Sequence, residues 1–267
     1  MTAIALTIAG SDSGGCAGIQ ADLKTFSALG VYGASVITAI TAQNTLGVAD
    51  VEVLSPRIVA AQIDTVLSDL DVGAIKIGMA ASAPVIEAVA GRLERFGRQV
   101  VLDPVMVATS GDRLLPDDAV EALRDLLLPR ALLATPNLPE AAILSGRPIA
   151  GDEVEMARQA DIILAAGARA VLIKGGHLGG ADSVDLLFDG HGVRRFAARR
   201  VATTHDHGTG CTLSAAIAAG LARGLSLEDA VEAAKMYLTA ALDHAAELDV
   251  GAGRGPVHHF HAWWPGG

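Results

Sequence analysis

Short apolar runs recur along the chain at 3–9, 35–41, 72–77, 99–103, 131–135 and 169–174, with longer amphipathic stretches between them. The runs are rich in Val, Ile, Leu and Ala and do not alternate with polar residues. That is the pattern of strands covered on both faces of a parallel sheet. Helices are expected near 17–29, 56–70, 82–96, 116–128, 137–145 and 152–166. Pro56, Pro84 and Pro116 stand at or near helix starts, where a missing N–H is harmless. Gly30, Gly97, Gly146 and Gly167 follow helix ends, where a left-handed cap is wanted. Residues 184–188 and 193–198 flank Asp189-Gly190-His191-Gly192 and predict a hairpin at the sheet edge. Two more helices, about 210–223 and 226–248, close the pattern, the second opened by the capping box Ser226-Leu227-Glu228-Asp229. No internal repeat or low-complexity tract breaks it. The expectation is one α/β domain over 1–267, a three-layer α/β/α fold with a mainly parallel central sheet.

Composition adds three constraints. The chain is 51% apolar but only 3% aromatic, so its core is built from small aliphatic side chains. A formal net charge of −10 opposes a nucleic-acid partner, while leaving room for a nucleotide at a local positive site. Neither a basic leader nor a bilayer span is visible: the uncharged stretch 25–49 contains Gln43, Asn44 and several threonines. A cytoplasmic protein with no membrane contact is expected, and Cys16 and Cys211 are read as free thiols.

Ligands of open parallel sheets gather beyond the carboxyl ends of the strands. The chemistry-bearing residues fall there: Gly10-Ser11-Asp12-Ser13-Gly14-Gly15, Asp103, Asn137-Leu138-Pro139-Glu140, Lys174-Gly175-Gly176-His177 and His207-Gly208-Thr209-Gly210-Cys211. The last segment leads into a small-residue helix whose first amides lack partners, a site shaped for a phosphate group, with Cys211 in the first turn. Lys174 ends an apolar strand, where an ammonium calls for an anion or solvent. Asn137 and Glu140, three apart at a helix start, suit Mg²⁺ shared with nucleotide phosphates, or serve only as a capping box. Asp103, before Pro104 at a strand end, is an alternative carboxylate there or an additional one behind the ion's direct ligands. The glycine-rich stretch 10–18 is neither a P-loop nor a dinucleotide fingerprint, but it lets a small molecule approach the backbone. Asp22 and Gln43 could read a heterocycle's donors and acceptors, or complement a helix dipole and form a turn. His258, His259 and His261 beside Trp263 and Trp264 read as a packed tail.

These segments, together with Leu6-Thr7-Ile8-Ala9, Ala17-Gly18-Ile19-Gln20-Ala21-Asp22, Ala42-Gln43-Asn44-Thr45, Lys76-Ile77-Gly78-Met79 and Gly255 to Trp264, resemble the hydroxymethylpyrimidine kinase/phosphomethylpyrimidine kinase family of thiamine biosynthesis, in the ribokinase-like superfamily. The resemblance runs essentially end to end. It implies that ATP phosphorylates the hydroxymethyl group of 4-amino-5-hydroxymethyl-2-methylpyrimidine and then the monophosphate. It further implies that Gln43 bonds the aminopyrimidine, with Gly10, Asp22 and Met79 shaping the pocket. Lys174, Thr209 and Asn137 would meet ATP, Glu140 and Asp103 would hold Mg²⁺, and Gly208, Gly210 and Cys211 would form the anion hole. Cys211 would be the general base. Its helix start pulls a thiol toward neutrality and ATP phosphates push it back. A homodimer is expected, and a pyridoxal or pyridoxine kinase is the close alternative, a non-catalytic nucleotide or pyrimidine sensor the distant one. Two departures stand out. Cys16 replaces a small residue, and Asp206 places an added carboxylate near ATP, where an asparagine is common.

Overall fold

The computed structural model describes residues 1–106, 115–176 and 179–264. Its centre is a nine-stranded sheet in the order β3-β2-β1-β4-β5-β6-β7-β8-β9. The strands are β1 (Ile4–Asp12), β2 (Tyr32–Asn44), β3 (Gly47–Val53), β4 (Ala74–Ile77), β5 (Gln99–Leu102), β6 (Leu133–Ala134), β7 (Val171–Lys174), β8 (Asp182–Phe188) and β9 (Val193–Arg199). Strands β2, β1, β4, β5, β6 and β7 run parallel. β3 pairs antiparallel with β2, and β8 and β9 form the expected hairpin against β7.

Helices cover both faces. On one lie α1 (Gly18–Ala28), α7 (Thr209–Ala222) and α8 (Leu227–Asp243), packed through Phe26, Leu213, Ile217, Val231 and Leu238. On the other lie α2 (Pro56–Asp69), α3 (Ala83–Phe96), α4 (Asp117–Ala122), α5 (Leu138–Ser145) and α6 (Glu153–Ala165), packed through Ile63, Ile86, Ala119, Leu144 and Ile163. Two apolar layers around a buried sheet are what the non-alternating runs require.

The differences from expectation are local. β3 was not expected: its residues are almost all exposed on both faces, so neither burial pattern marks them. The helix expected over 116–128 is α-helical only to Ala122. It widens to a π turn over Leu123–Leu127 and closes in a 3-10 turn at Leu128–Arg130, whose Pro129 cannot donate an i→i−4 bond. The last helix ends at Asp243, before a 3-10 turn at Ala245–Glu247. Among the described residues, no helix is long and apolar enough to cross a membrane.

Candidate active site

The parallel strands end along one edge, and a cleft of about 540 Å³ opens there, large enough for a small-molecule ligand. Because β8 runs against β7, its first residues reach the same edge, and so do the last of β9. Lys235 of α8, Asp185 and Arg200 therefore line the cleft beside the expected residues. Lys235 donates to Asp185 at 2.7 Å and to Ser183 at 3.1 Å.

At the end of β1 the Asp12 carboxylate accepts the amides of Gly14, Cys16 and Ala17, each at 2.8 Å. One buried anion thus fixes the glycine-rich turn that leads into α1. Cys16 is buried within that turn, its thiol 3.6 Å from the Gly14 carbonyl oxygen. The loop also determines what can follow at position 208. A Cβ on Gly208 would collide with the Cys16 carbonyl oxygen, and its φ of 81° is left-handed, so only glycine fits.

Gly208 is the N-cap of α7 and no side chain caps the helix. Among the described residues the amides of Gly210 and Cys211 have no hydrogen-bond acceptor, whereas Thr209 donates to Asp206. This helix start meets a cluster of charge: a Cβ on Gly210 would stand 3.2 Å from Lys174 Nζ and 3.7 Å from Asp103 Oδ2. Lys174 donates to Asp103 Oδ1 at 2.8 Å and lies 4.0 Å from Glu140. Asp103 also accepts the hydroxyls of Thr135 and Ser214, at 3.2 and 3.3 Å. Burial works against the Asp103 charge, but Lys174 and Lys76 outweigh it and hold the carboxyl below its usual range. Glu140 goes the other way. Burial, with Asp103 adding to it, pushes its carboxyl up to about 7 against the pull of Lys174.

Asn137 and Glu140 do form the capping box: Asn137 Oδ1 accepts the Glu140 amide at 2.9 Å, and Glu140 accepts the Asn137 amide at 2.8 Å. Both still line the cleft. Among the described residues no group of three or more His, Cys, Asp and Glu could hold a metal by itself. Two carboxylates against one ammonium, with one carboxyl driven toward protonation, nevertheless make a cluster short of positive charge. That donor set fits a divalent cation whose remaining ligands are phosphate oxygens and water.

At the other end of the cleft Gln43 Oε1 accepts the Thr41 hydroxyl at 3.1 Å, and its Nε2 lies 3.0 Å from His207 Nε2. For the amide to donate, that ring nitrogen must be the acceptor. Burial depresses the His207 pKa and keeps the ring neutral, as this requires. Gln43 then has one N–H and one oxygen lone pair left. It is half-buried rather than fully buried. Gly10 and Met79 line the cleft as expected.

The Asp22 carboxylate is 0% exposed, and its Oδ1 has no hydrogen-bond partner among the described residues. It accepts the Thr7 hydroxyl at 2.5 Å and the Lys76 ammonium at 2.8 Å. Sequence reasoning passed over Lys76 itself, although a lysine inside Ala74-Ile75-Lys76-Ile77 is a charge in a fully covered strand. His207 likewise carries no signal in the sequence of its bond to Gln43. Asp206, expected as an added carboxylate near ATP, is paired with Arg254. His259 packs on Thr212 and Tyr237, burial drawing its pKa down to about 3, as a packed tail requires. His177 lies outside the described residues. Burial pushes the Cys211 thiol up to about 11, with Lys76 pulling the other way.

An open helix start beside a lysine, at the strand ends of a three-layer sheet, places the chain among α/β kinases of small molecules. It belongs to the phosphomethylpyrimidine kinase family, whose model matches residues 12–258. A hydroxymethylpyrimidine/phosphomethylpyrimidine kinase of Rhizobium meliloti is 67% identical over 264 residues, 99% of both chains. The ADP complex of a Bacillus subtilis pyridoxal kinase superposes with a TM-score of 0.90 at 37% identity, covering 98% of this chain and 99% of that one. A phosphomethylpyrimidine kinase of Clostridium difficile gives a TM-score of 0.80 at 44% identity, covering 90% and 99%. The chain is a phosphotransferase with ATP as co-substrate.

Proposed function

We propose that the cleft phosphorylates 4-amino-5-hydroxymethyl-2-methylpyrimidine on its hydroxymethyl oxygen, and then phosphorylates the monophosphate. The observation that carries the choice of ring is the unused edge of Gln43, one donor and one acceptor. An aminopyrimidine offers the matching amino N–H and ring nitrogen side by side. Gly10 leaves room for the ring and Met79 packs against it.

Phosphoryl transfer needs positioning and charge neutralisation more than covalent chemistry. The amides of Gly210 and Cys211 hold phosphate oxygens, and Lys174 neutralises the charge that builds up as the γ-phosphoryl moves. Asn137 and Thr209 border the nucleotide. Mg²⁺ held by Glu140 and Asp103 would supply the remaining positive charge against the phosphates. Cys211 takes the hydroxyl proton, and since its thiol titrates far above neutrality, kcat/KM rises with pH through the alkaline range. The chain works as one domain, in the cytoplasm and as a homodimer; size-exclusion with light scattering checks the assembly.

A pyridoxal kinase is the second reading, favoured by the Bacillus subtilis likeness. An assay of ADP release with the pyrimidine alcohol, its monophosphate and pyridoxal decides between them. Turnover of both pyrimidines at the higher kcat/KM is expected; turnover of pyridoxal alone overturns the assignment.

A further inference from the structure

Each group that bonds the Gln43 side-chain amide can serve as donor or acceptor. The Thr41 hydroxyl has one proton and two acceptors in reach, Gln43 Oε1 at 3.1 Å and the Ser11 carbonyl oxygen at 3.0 Å. With the proton toward Gln43, Thr41 donates to the amide oxygen. With the proton toward Ser11, its lone pairs face the amide and accept an N–H instead. His207 Nε2, 3.0 Å from Gln43 Nε2, has the same freedom, because a neutral imidazole carries its proton on either nitrogen. Burial, joined by Arg254 and opposed by Asp12 and Asp206, keeps the ring neutral. Among the described residues nothing bonds to its Nδ1, so neither tautomer is held.

These partners leave the Gln43 amide reversible. Turned end for end about Cγ–Cδ it fills the same space, with its nitrogen toward Thr41 and its oxygen toward His207. The Thr41 proton passes to Ser11, the His207 proton to Nε2, and no polar group loses a partner. What changes is the free edge of the amide, where donor and acceptor exchange places. The frame stays fixed: the His207 amide donates to the Gly255 carbonyl at 3.1 Å, and beside it Gly208 is pressed against the Cys16 carbonyl oxygen.

We propose that this reversible amide gives the cleft a second substrate class: hydroxymethylpyrimidines with a carbonyl beside a ring N–H, the reverse of an amino group beside a bare ring nitrogen. The inference rests on the reading that Gln43 bonds the substrate ring. A 4-oxo ring has the size of the 4-amino ring and carries its hydroxymethyl group at the same carbon. Its order of donor and acceptor matches the turned amide, as the amino ring matches the amide in its present orientation. A site committed to one order rejects the other, because binding it buries unpaired polar groups. This site escapes that cost by moving two protons. The transfer itself is unchanged. The hydroxymethyl oxygen bonds the γ-phosphorus, the bond from that phosphorus to the ADP oxygen breaks, ADP leaves with the electron pair, and the hydroxyl proton passes to Cys211.

The test compares 4-amino- and 4-oxo-5-hydroxymethyl-2-methylpyrimidine by calorimetry and by ADP release at pH 8. The two Kd values should agree within about tenfold, and both rings should turn over. A wider gap, or no turnover of the oxo ring, overturns the proposal. His207→Glu supplies an acceptor of similar reach, ionised at this pH, and should fix one orientation. It should weaken the oxo ring by about tenfold or more relative to the amino ring. A merely structural role for His207 would weaken both rings alike, and that is the contrary result. Should the variant not fold, nitrogen-15 NMR of the wild-type His207 ring decides. Its proton should sit on Nδ1 with the amino ring bound and on Nε2 with the oxo ring bound; one tautomer in both complexes contradicts the proposal. Gln43→Leu separates the failures. Unchanged affinity for the amino ring overturns the reading of Gln43 and this inference together. Loss of the amino ring there, with the oxo ring refused by the wild type, overturns this inference alone.

Discussion

Two of the buried charged groupings at the strand ends are finished to different degrees. Between β4 and α1 one ammonium meets one carboxylate, Lys76 on Asp22, and the charges cancel. At the α7 start one ammonium faces two carboxylates, Lys174 with Asp103 and Glu140, and one negative charge is left over. Opposite pKa directions within the second grouping record that imbalance. Asp103, in direct contact with the lysine, is held low, while Glu140, at 4.0 Å, is driven up to about 7. The first grouping is complete before any ligand arrives; the second is completed by one.

The largest effect should come from the base. Cys211→Ala should lower kcat by about two to four orders of magnitude, with nucleotide binding preserved because the backbone amides remain. Cys211→Asp should recover part of that loss and Cys211→Ser little. Single-turnover phosphorylation of the pyrimidine alcohol measures all three, and an alanine variant close to wild type would leave the thiol only a packing role. Lys174→Met follows, with a loss of about 10²–10³ in kcat, the scale for one electrostatic donor to the transition state. A variant with unchanged kcat/KM for ATP would mean that phosphate sits elsewhere.

Gln43→Leu should raise KM for the pyrimidine by an amount equivalent to about 1–3 kcal/mol, with little change for ATP. Calorimetry of pyrimidine binding is the check. A smaller effect concerns stability. Glu140 titrates higher in the fold than the ordinary carboxyl, so ionising it costs folded stability as pH rises from about 4.5 through about 7. Glu140→Gln should therefore stabilise the unliganded protein by about 1–3 kcal/mol at pH 8 and by much less at pH 4. Denaturant melts at the two pH values would show it.

The architecture was legible because covered strands and amphipathic helices leave different patterns, and because prolines and glycines punctuate them. Pro56 and Pro84 do open helices, and Gly97 and Gly146 do take left-handed caps. β3 escaped because an exposed edge strand carries neither pattern. In the cleft, residue types were legible and partnerships were not. Lys76 meets Asp22 across 54 positions and Lys174 meets Asp103 across 71, and nothing local announces either pairing. The sequence therefore offers Asp22 as a pocket residue without showing its partner Lys76, and Asp206 as an added carboxylate without showing its partner Arg254.

The most direct measurement is the proton count when preformed Mg²⁺–ADP binds, taken by calorimetry in buffers of different ionisation enthalpy. If the α7 grouping lacks one positive charge until nucleotide and metal arrive, Glu140 must ionise as they bind. About half a proton should be released at pH 7, approaching one near pH 6 and none above pH 9, and Glu140→Gln should abolish the release. No release near pH 6, or a release that survives in Glu140→Gln, would contradict the account.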